Sequence, residues 1–299
     1  MLPALVGACG SARGGIELPS GTGVPLAGHA AIWEAATEPC RSVRSMEFTL
    51  SIGGRAHGGA LRRTRMRGAV EGGALRLEAL APFGAALFIL VAPDDRAATL
   101  LLPRDRQVIA GADPAVLLDV LAGLELGPAD VAALLTGCLA PGAGTTAGRR
   151  LGDWTVIDLE GGVSAYLRDA PAGEDGAGPV VAAGQRGRLT VAYSDHVRGL
   201  PRGFRVEVEA PSTVPGTADA ADAGDAGEAT DLNASLTQVN INTTLHPAVF
   251  QVDVPAEYAP ITVDQLRGAP PLESPPSHGS PPPPPAAPEP EGRGAAEAR

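Results

Sequence analysis

Asp195 and His196 are adjacent and form the nearest approach to an acid–base pair in this sequence. A general base must lie within hydrogen-bond reach of the proton that it removes. Neighbouring residues on a strand point to opposite faces, and residues 189–193 have strand character. No nucleophile, metal-binding or phosphate-binding motif accompanies the five scattered histidines. The sequence therefore predicts no catalytic residue, no metal site and no cofactor, and we expect no enzyme.

Three cysteines occur, at Cys9, Cys40 and Cys138, without a C-x-x-C spacing that would indicate a zinc or thioredoxin-type site. Cys9 follows Leu-Val-Gly-Ala, a run that resembles the lipobox of bacterial lipoproteins, in which the chain is cut before the cysteine and the new terminus is lipidated. Only eight residues precede Cys9, and none is basic, so this signal is truncated. Cys9 is thus either a lipid anchor or an ordinary cysteine in a glycine-rich terminus.

Cys40 and Cys138 have two alternative states. A lipidated protein would be in an oxidising compartment, where Cys40 can pair with Cys138. Two free core thiols remain the alternative, because spacing alone does not determine connectivity.

Composition divides the chain into three parts. Residues 1–28 contain the truncated signal and a Gly-, Pro- and Ser-rich flexible tether, and residues 268–299 form a proline-rich tail expected to be disordered. Residues 29–267 remain as one domain, interrupted by a disordered acidic loop at 211–230. A hydrophobic content of 44% supports a sizeable core, and a net charge of −11 excludes a general nucleic-acid role.

Hydrophobic periodicity predicts a mainly β domain with a few helices. One amphipathic helix begins at His29, and a pair of short helices begins at Pro114 and Pro128 and ends at Gly137. Alternating or continuously apolar runs predict eleven strands, at residues 46–52, 61–67, 74–80, 87–91, 97–102, 154–159, 163–167, 189–193, 204–208, 232–241 and 249–254. Short strands at this spacing indicate a sheet curled around the helices.

Arginines cluster at residues 62, 63, 65 and 67, with Arg55 nearby, and make the densest positive patch of an acidic chain. The patch could face anionic headgroups or an acidic partner. The alternative, which we prefer from sequence, is a solvated strand face.

Residues 75–84, LRLEALAPFG, resemble the strand and tight turn of LolB-like lipoprotein-localisation factors in the LolA/LolB superfamily. The helical pair at residues 114–137 resembles the helical insert of that family. The resemblance extends over residues 29–255, and its specific part is residues 74–138.

The resemblance implies an incomplete antiparallel β-barrel of about ten or eleven strands, wrapped over short helices around a hydrophobic cavity. The residues expected to line that cavity are Phe48, Leu50, Ile52, Leu75, Leu77, Leu87, Ile89, Val91, Leu117 and Leu121. Sequence alone does not distinguish a hollow interior from an ordinary packed core.

The resemblance also implies a membrane-contact loop at Leu80, Pro82, Phe83 and Gly84, with Phe83 at the position of the family's exposed leucine. Phe83 either projects as an apolar tip or packs inward. The implied function is a monomeric lipoprotein on the periplasmic face of the outer membrane that receives acyl chains or lipoproteins from a LolA-like carrier. The alternative is a structural or interaction lipoprotein with a solidly packed β domain.

Overall fold

The computed structural model describes residues 15–81, 84–170, 178–210 and 229–268. Over these residues there are fifteen strands and four α-helices. The strands are β1 Val24–Pro25, β2 Ser45–Ala56, β3 Gly59–Glu71, β4 Ala74–Leu80, β5 Ala86–Ala92, β6 Ala98–Leu102, β7 Gln107–Ala112, β8 Thr145–Leu151, β9 Trp154–Leu159, β10 Val163–Asp169, β11 Pro179–Arg186, β12 Leu189–Ser194, β13 Gly203–Val208, β14 Thr230–Ile241 and β15 Ala259–Pro260. The helices are α1 His29–Arg41, α2 Pro114–Ala122, α3 Pro128–Thr136 and α4 Val263–Arg267.

All of these strands belong to one sheet, made of two meanders. Strands β2 to β7 follow one another across one half, strands β8 to β14 across the other, and β14 pairs with β2 at the junction. Every pairing is antiparallel except that of β15 with β7. The terminal strands of the order, β1 and β15, do not pair with each other, so the sheet is open. The predicted fold class, an incomplete antiparallel barrel over short helices, is confirmed, with more strands than the ten or eleven expected.

The sheet must be curled, since one short helix contacts strands that are far apart in the strand order. Helix α3 contacts β4, and its Asp130 bonds to Arg186 on β11. Those two strands are six places apart, or roughly 29 Å in a flat sheet at ~4.8 Å per strand. A nine-residue helix is only about 13 Å long. The face that carries the helices is therefore the concave, inner face.

Local signals explain the helix ends that were predicted. The Asp113 side chain accepts a hydrogen bond from the Ala115 amide at 2.8 Å, and Pro114 occupies the first turn. Gly123 and Gly137 end α2 and α3 in the left-handed conformation. The helical pair is thus bounded as the sequence indicated. Among the described residues no helix combines the length and the apolar character needed to span a bilayer.

Residues 15–25 lie on the outer face of the β8–β13 half. The Ile16 amide donates to Glu207 on β13 at 2.7 Å, and β1 pairs with β8. Between these points Leu18 packs against a small cluster of Val156, Tyr166 and Ala183. The expected flexible tether is therefore attached to the sheet from residue 15 onward, because its apolar side chains find a partner there.

Residues 247–261 lie on the outer face of the other half. Arg76 on β4 donates to the carbonyls of Val249 and Gln251, both at 3.3 Å, and β15 pairs with β7. A strand at residues 249–254 was predicted, and this prediction is wrong. Residues Pro247–Phe250 form a 3-10 turn, and their carbonyls bond to a side chain instead of a neighbouring strand.

Several predicted features lie outside the described residues. They are the proposed anchor Cys9, the loop residues Pro82 and Phe83, residues 211–228 of the acidic loop, and the proline-rich tail from residue 269.

Candidate functional site

The inner face of the first meander is a continuous apolar surface. Strand register places Leu50 of β2 opposite Met66 of β3, which is opposite Ala79 of β4. The same alternation puts five of the predicted lining residues on this one face: Phe48, Leu50, Ile52, Leu75 and Leu77. All five are buried. Gly68, opposite Phe48, gives the Phe48 ring its space, since a Cβ there would clash with it.

Two other predicted lining residues, Ile89 and Val91, lie on the opposite face, which corrects the expectation. Ile89 is paired with Glu78 and Val91 with Arg76, whereas Leu75 and Leu77 are paired with Ala92 and Leu90. Leu87 sits at the register shift between β4 and β5 and is half-buried. The run at residues 87–91 is apolar on both faces because helices cover one and residues 247–261 the other. Phe88 and Leu90 therefore take the inner positions.

Helix α2 contributes the two remaining predicted residues unequally. Leu117 is fully buried, with 0% of its surface exposed, and Leu121 is half-buried. The C-terminal end of α2 lies close to the sheet, where a Cβ on Gly123 would clash with Thr230 of β14. His57, in the β2–β3 turn, bonds through Nε2 to the Asp119 carbonyl at 2.7 Å.

An apolar pocket lies between α3 and strands β10 to β12. It encloses about 30 Å³ and is lined mainly by Leu126, Leu134, Leu139, Val163, Leu189 and Val191. The pocket lies along the seam where α3 and residues 137–139 meet the sheet. Three of its leucines, Leu134, Leu139 and Leu189, are half-buried. The seam between α3 and the sheet is therefore less completely packed than the strands beneath it.

Tyr193 also lines this pocket. Its ring is buried, with 7% of its surface exposed, and its hydroxyl has no hydrogen-bond partner among the described residues. Burial raises the pKa of this hydroxyl well above its usual range. A buried, unpartnered hydroxyl costs about 1–3 kcal/mol.

An ion pair holds the N-terminal end of α3. Arg186 Nη1 donates to Asp130 Oδ1 at 2.7 Å, and both side chains are more than a third exposed. Such pairs contribute only about 0–1 kcal/mol to stability. The ion pair itself therefore adds little to the attachment of α3, whose N-terminal end also buries Leu126 and Pro128.

A disulfide holds the opposite end. Cys138, directly after α3, is bonded to Cys40 of α1, with 5.5 Å between their Cα atoms. Both cysteines are buried and pack with Ala133 and Leu200. The bond connects two helices that are otherwise 98 residues apart in sequence.

A second pocket, of about 210 Å³, lies between α1 and residues 138–145. Glu34, Thr37 and Arg41 line it along with Trp33 and Pro141. Neither pocket reaches the ~300 Å³ typical of small-molecule sites. Among the described residues, helices α1, α2 and α3 occupy the concave face where the large hollow was expected.

The predicted membrane-contact loop is described only at its two ends. Leu80 is half-buried and Gly84 is exposed, with a φ of 84°. The Gly84 amide donates to the Ala81 carbonyl and the Ala81 amide to the Ala85 carbonyl, both at 2.8 Å. These bonds form a tight turn at the end of the β4–β5 hairpin.

Sequence reasoning missed Tyr193, Asp130 and Arg186. Their approach depends on how α3 crosses the sheet, which no local pattern encodes. One signal was available in Gly184, an isolated glycine in an apolar strand. Such a glycine marks a close approach, and a Cβ there would clash with Leu139.

No protein-family model matches the chain, and no curated protein sequence matches it. Among solved structures, a LolA superfamily protein from Nitrosomonas europaea is 12% identical, with a TM-score of 0.44, over 74% of this chain and 96% of that one. A putative outer membrane lipoprotein-sorting protein domain from Vibrio parahaemolyticus is also 12% identical, with a TM-score of 0.42 and the same coverage. LprF from Mycobacterium bovis is 7% identical, with a TM-score of 0.26, over 79% of this chain and 100% of that chain.

Proposed function

We propose that this protein is a cell-envelope lipoprotein that binds acyl chains, or the acyl groups of lipoproteins, between its helices and the inner face of its sheet. The observation that carries the proposal is the seam at α3, where half-buried leucines and an unpartnered buried hydroxyl surround an apolar pocket. The function is binding and transfer, without chemistry on the ligand.

The energetics require the site to open. An acyl chain of ~16 carbons loses about 12 kcal/mol of transfer free energy on exposure to water. Sheltering it needs far more room than the roughly 30 Å³ present. In this proposal the end of α3 at Asp130, whose only ion pair in the described residues is solvent-exposed, lifts while the disulfide at Cys138 retains the other end. Lifting would expose the inner-face leucines to the ligand.

The proposed partners follow from this activity. A LolA-like periplasmic carrier would supply the ligand, and the outer membrane would receive it, with the protein anchored there as a monomer through Cys9. Phe83, in the turn between Leu80 and Gly84, would touch the acceptor bilayer. Burial of one phenylalanine contributes only about 1.5–3 kcal/mol, so such contact is reversible.

Uptake of a fluorescent fatty acid by the full chain carrying Cys9→Ala tests the binding site. We expect saturable uptake that Leu189→Trp, at the pocket, reduces at least tenfold by blocking the seam. The matched control is Leu151→Trp, a half-buried leucine on the outer face, which should take up the probe as the parent does. Equal uptake by both tryptophan variants would place the ligand elsewhere.

Transfer and anchoring are tested separately. Phe83→Glu should leave uptake unchanged and reduce lipoprotein delivery to liposomes. Mass spectrometry of gently extracted protein should show a diacylated or triacylated Cys9. An unmodified Cys9 in the native host would remove the anchor from the proposal.

The small pocket volumes favour a second candidate, a structural or interaction lipoprotein with a packed interior. Its tail at residues 268–299 would then bind the partner. Under this candidate no lipid co-purifies, no fatty acid is taken up, and deletion of the tail abolishes the cellular phenotype.

A further inference from the structure

Arg63, Arg65 and Arg67, here called the arginine row, lie on the outer face of β3. Register places Arg65 opposite Ser51 and Leu80, and Arg67 opposite Thr49 and Glu78. Arg63 donates through Nη1 to Ser51 Oγ at 3.2 Å, which places it on the same face. All three side chains are exposed, and the row is about 14 Å long at ~3.4 Å per residue.

The row differs from three other arginines of the outer face in forming no ion pair among the described residues, although Glu78, already paired with Arg76, lies opposite Arg67. Arg149 is paired with Asp158, Arg205 with Glu207 and Asp231, and Arg76 with Glu78. Within the described ranges, no ion pair is formed by any member of the row. Three exposed guanidinium groups without carboxylate partners are conspicuous in a chain of net charge −11.

Among the described residues, the row lies on the part of the outer face between two covering segments. Residues 15–25 cross β8 to β13, and residues 247–261 cross β4 to β7. Beside the row, on β14 and β2, the outer-face positions hold Ser51, Ser235 and Thr237, with Thr49 buried and Glu47 two positions beyond it. The described residues therefore leave the guanidinium groups of the row exposed on the convex face of the sheet.

We propose that the arginine row binds the anionic headgroups of a lipid bilayer. The choice of a bilayer over an acidic protein rests on the proposed function, because Arg65 is directly opposite Leu80, at the start of the turn assigned to membrane contact. Headgroup phosphates would pair with the guanidinium groups, and Leu80 lies directly opposite Arg65 beside them. The two features together orient the protein on an anionic membrane.

Co-sedimentation of the full Cys9→Ala chain with vesicles tests this inference. We expect binding to vesicles of equal parts phosphatidylcholine and phosphatidylglycerol, and little binding to pure phosphatidylcholine. Replacing all three row arginines by Gln should weaken binding by ten- to 100-fold, from the contribution of an arginine near an anionic surface. Binding should also fall as salt shortens the Debye length from about 10 Å at 0.1 M to about 3 Å at 1 M.

Two matched variants keep the result interpretable. The triple variant Arg44→Gln, Arg150→Gln, Arg198→Gln removes the same charge from exposed arginines elsewhere and should bind as the parent does. Replacing the three row arginines by lysine keeps their charge and should preserve binding. If the glutamine triple failed only because these positions do not tolerate substitution, the lysine triple would lose binding as well.

Loss of vesicle binding in both glutamine triples would show a general charge effect and overturn the inference. Undiminished binding by the variant in which Gln replaces the three row arginines would overturn it too. Row-dependent capture of an acidic protein with no vesicle binding would overturn it in favour of a protein partner. Fatty-acid uptake is measured in parallel. Uptake without row-dependent vesicle binding overturns only this inference, and vesicle binding without uptake overturns only the acyl-chain function.

Discussion

Helix α1 and helix α3 cover the same concave surface, and they are attached to it in different ways. Helix α1 buries Trp33, Ala36 and Cys40, and its first residue, His29, lies so close to β8 that a Cβ on Gly148 would clash with the His29 Cβ. Helix α3 leaves Leu134 half-buried above a pocket, and a side chain that can rotate, Leu139, fills the space over Gly184. The proposed function therefore takes α1 as the fixed part of the core and α3, which also buries Ala133 and Leu135, as the part that moves.

The largest expected effect concerns the bond that joins the two helices. Replacing Cys40 and Cys138 by Ser should lower the free energy of unfolding by about 4 kcal/mol, because the disulfide closes a loop of 98 residues. Urea unfolding with and without reductant measures this. Reductant should destabilise the parent and leave the double variant unchanged, and equal stability of the two oxidised proteins would show that the helices do not need the bond.

The comparison is sharpened by two identical substitutions. Gly148→Ala should cost about 1–3 kcal/mol, because the His29 Cβ is fixed to the helix backbone and cannot swing away. Gly184→Ala should cost less than about 1 kcal/mol, because the end of the Leu139 side chain can rotate. Thermal or urea unfolding of both variants provides the measurement. A larger loss of unfolding free energy in Gly184→Ala than in Gly148→Ala would reverse the assignment of fixed and mobile helices.

Tyr193 tests the pocket under α3. Tyr193→Phe should raise the free energy of unfolding by about 1 kcal/mol at neutral pH, since it removes an unpartnered buried hydroxyl. Burial raises the folded-state pKa of Tyr193 above its unfolded value of about 10. Ionisation of this hydroxyl therefore leaves the free energy of unfolding unchanged below pH ~10 and lowers it as the pH rises above that value. The parent should therefore lose up to about 1.4 kcal/mol per pH unit more than Tyr193→Phe above pH ~10.

Unfolding of both proteins at neutral and alkaline pH provides this measurement, with Tyr258→Phe, a half-buried tyrosine near the C-terminal strand, as the control. A destabilised Tyr193→Phe would mean that the hydroxyl already has a partner, such as a bound water.

The smallest effect on stability is expected at the exposed end of α3. Asp130→Asn breaks the pair with Arg186 and should change the free energy of unfolding by less than about 1 kcal/mol, because both groups are solvated. The same change should speed fatty-acid uptake in stopped-flow measurements if this end of α3 opens first. Breaking the Arg76 to Glu78 pair by Glu78→Gln, on the outer face, should leave the uptake rate unaffected.

The elements that sequence predicted correctly carry strong local signals. Asp113 and Pro114 begin α2 and Gly137 ends α3, since caps and left-handed positions depend only on neighbouring residues. The alternation of β2 and β4 likewise assigned Leu50 and Leu77 to one face.

The elements that were missed depend on contacts distant in sequence. Strands β8 and β11 look like loops because Gly148 and Gly184 replace larger inward residues where helices come close. Strand β7 was missed too, with glycine and alanine making up much of its sequence. The inner and outer positions of residues 87–91 were misassigned because a strand covered on both faces lacks the alternation of polar and apolar residues that identifies its inner face.

The two-residue strands at the ends of the sheet have a consequence for self-association. An open sheet offers unpaired backbone groups to any other chain, which invites edge-to-edge aggregation. Here β1 and β15 each end in a proline, Pro25 and Pro260. The Leu26 amide donates inward to Gly148 and the Ile261 amide inward to Val108, so each preceding proline nitrogen faces away from the sheet and has no hydrogen to donate. A further strand would find no donor at these two positions, which disfavours edge-to-edge pairing with another sheet.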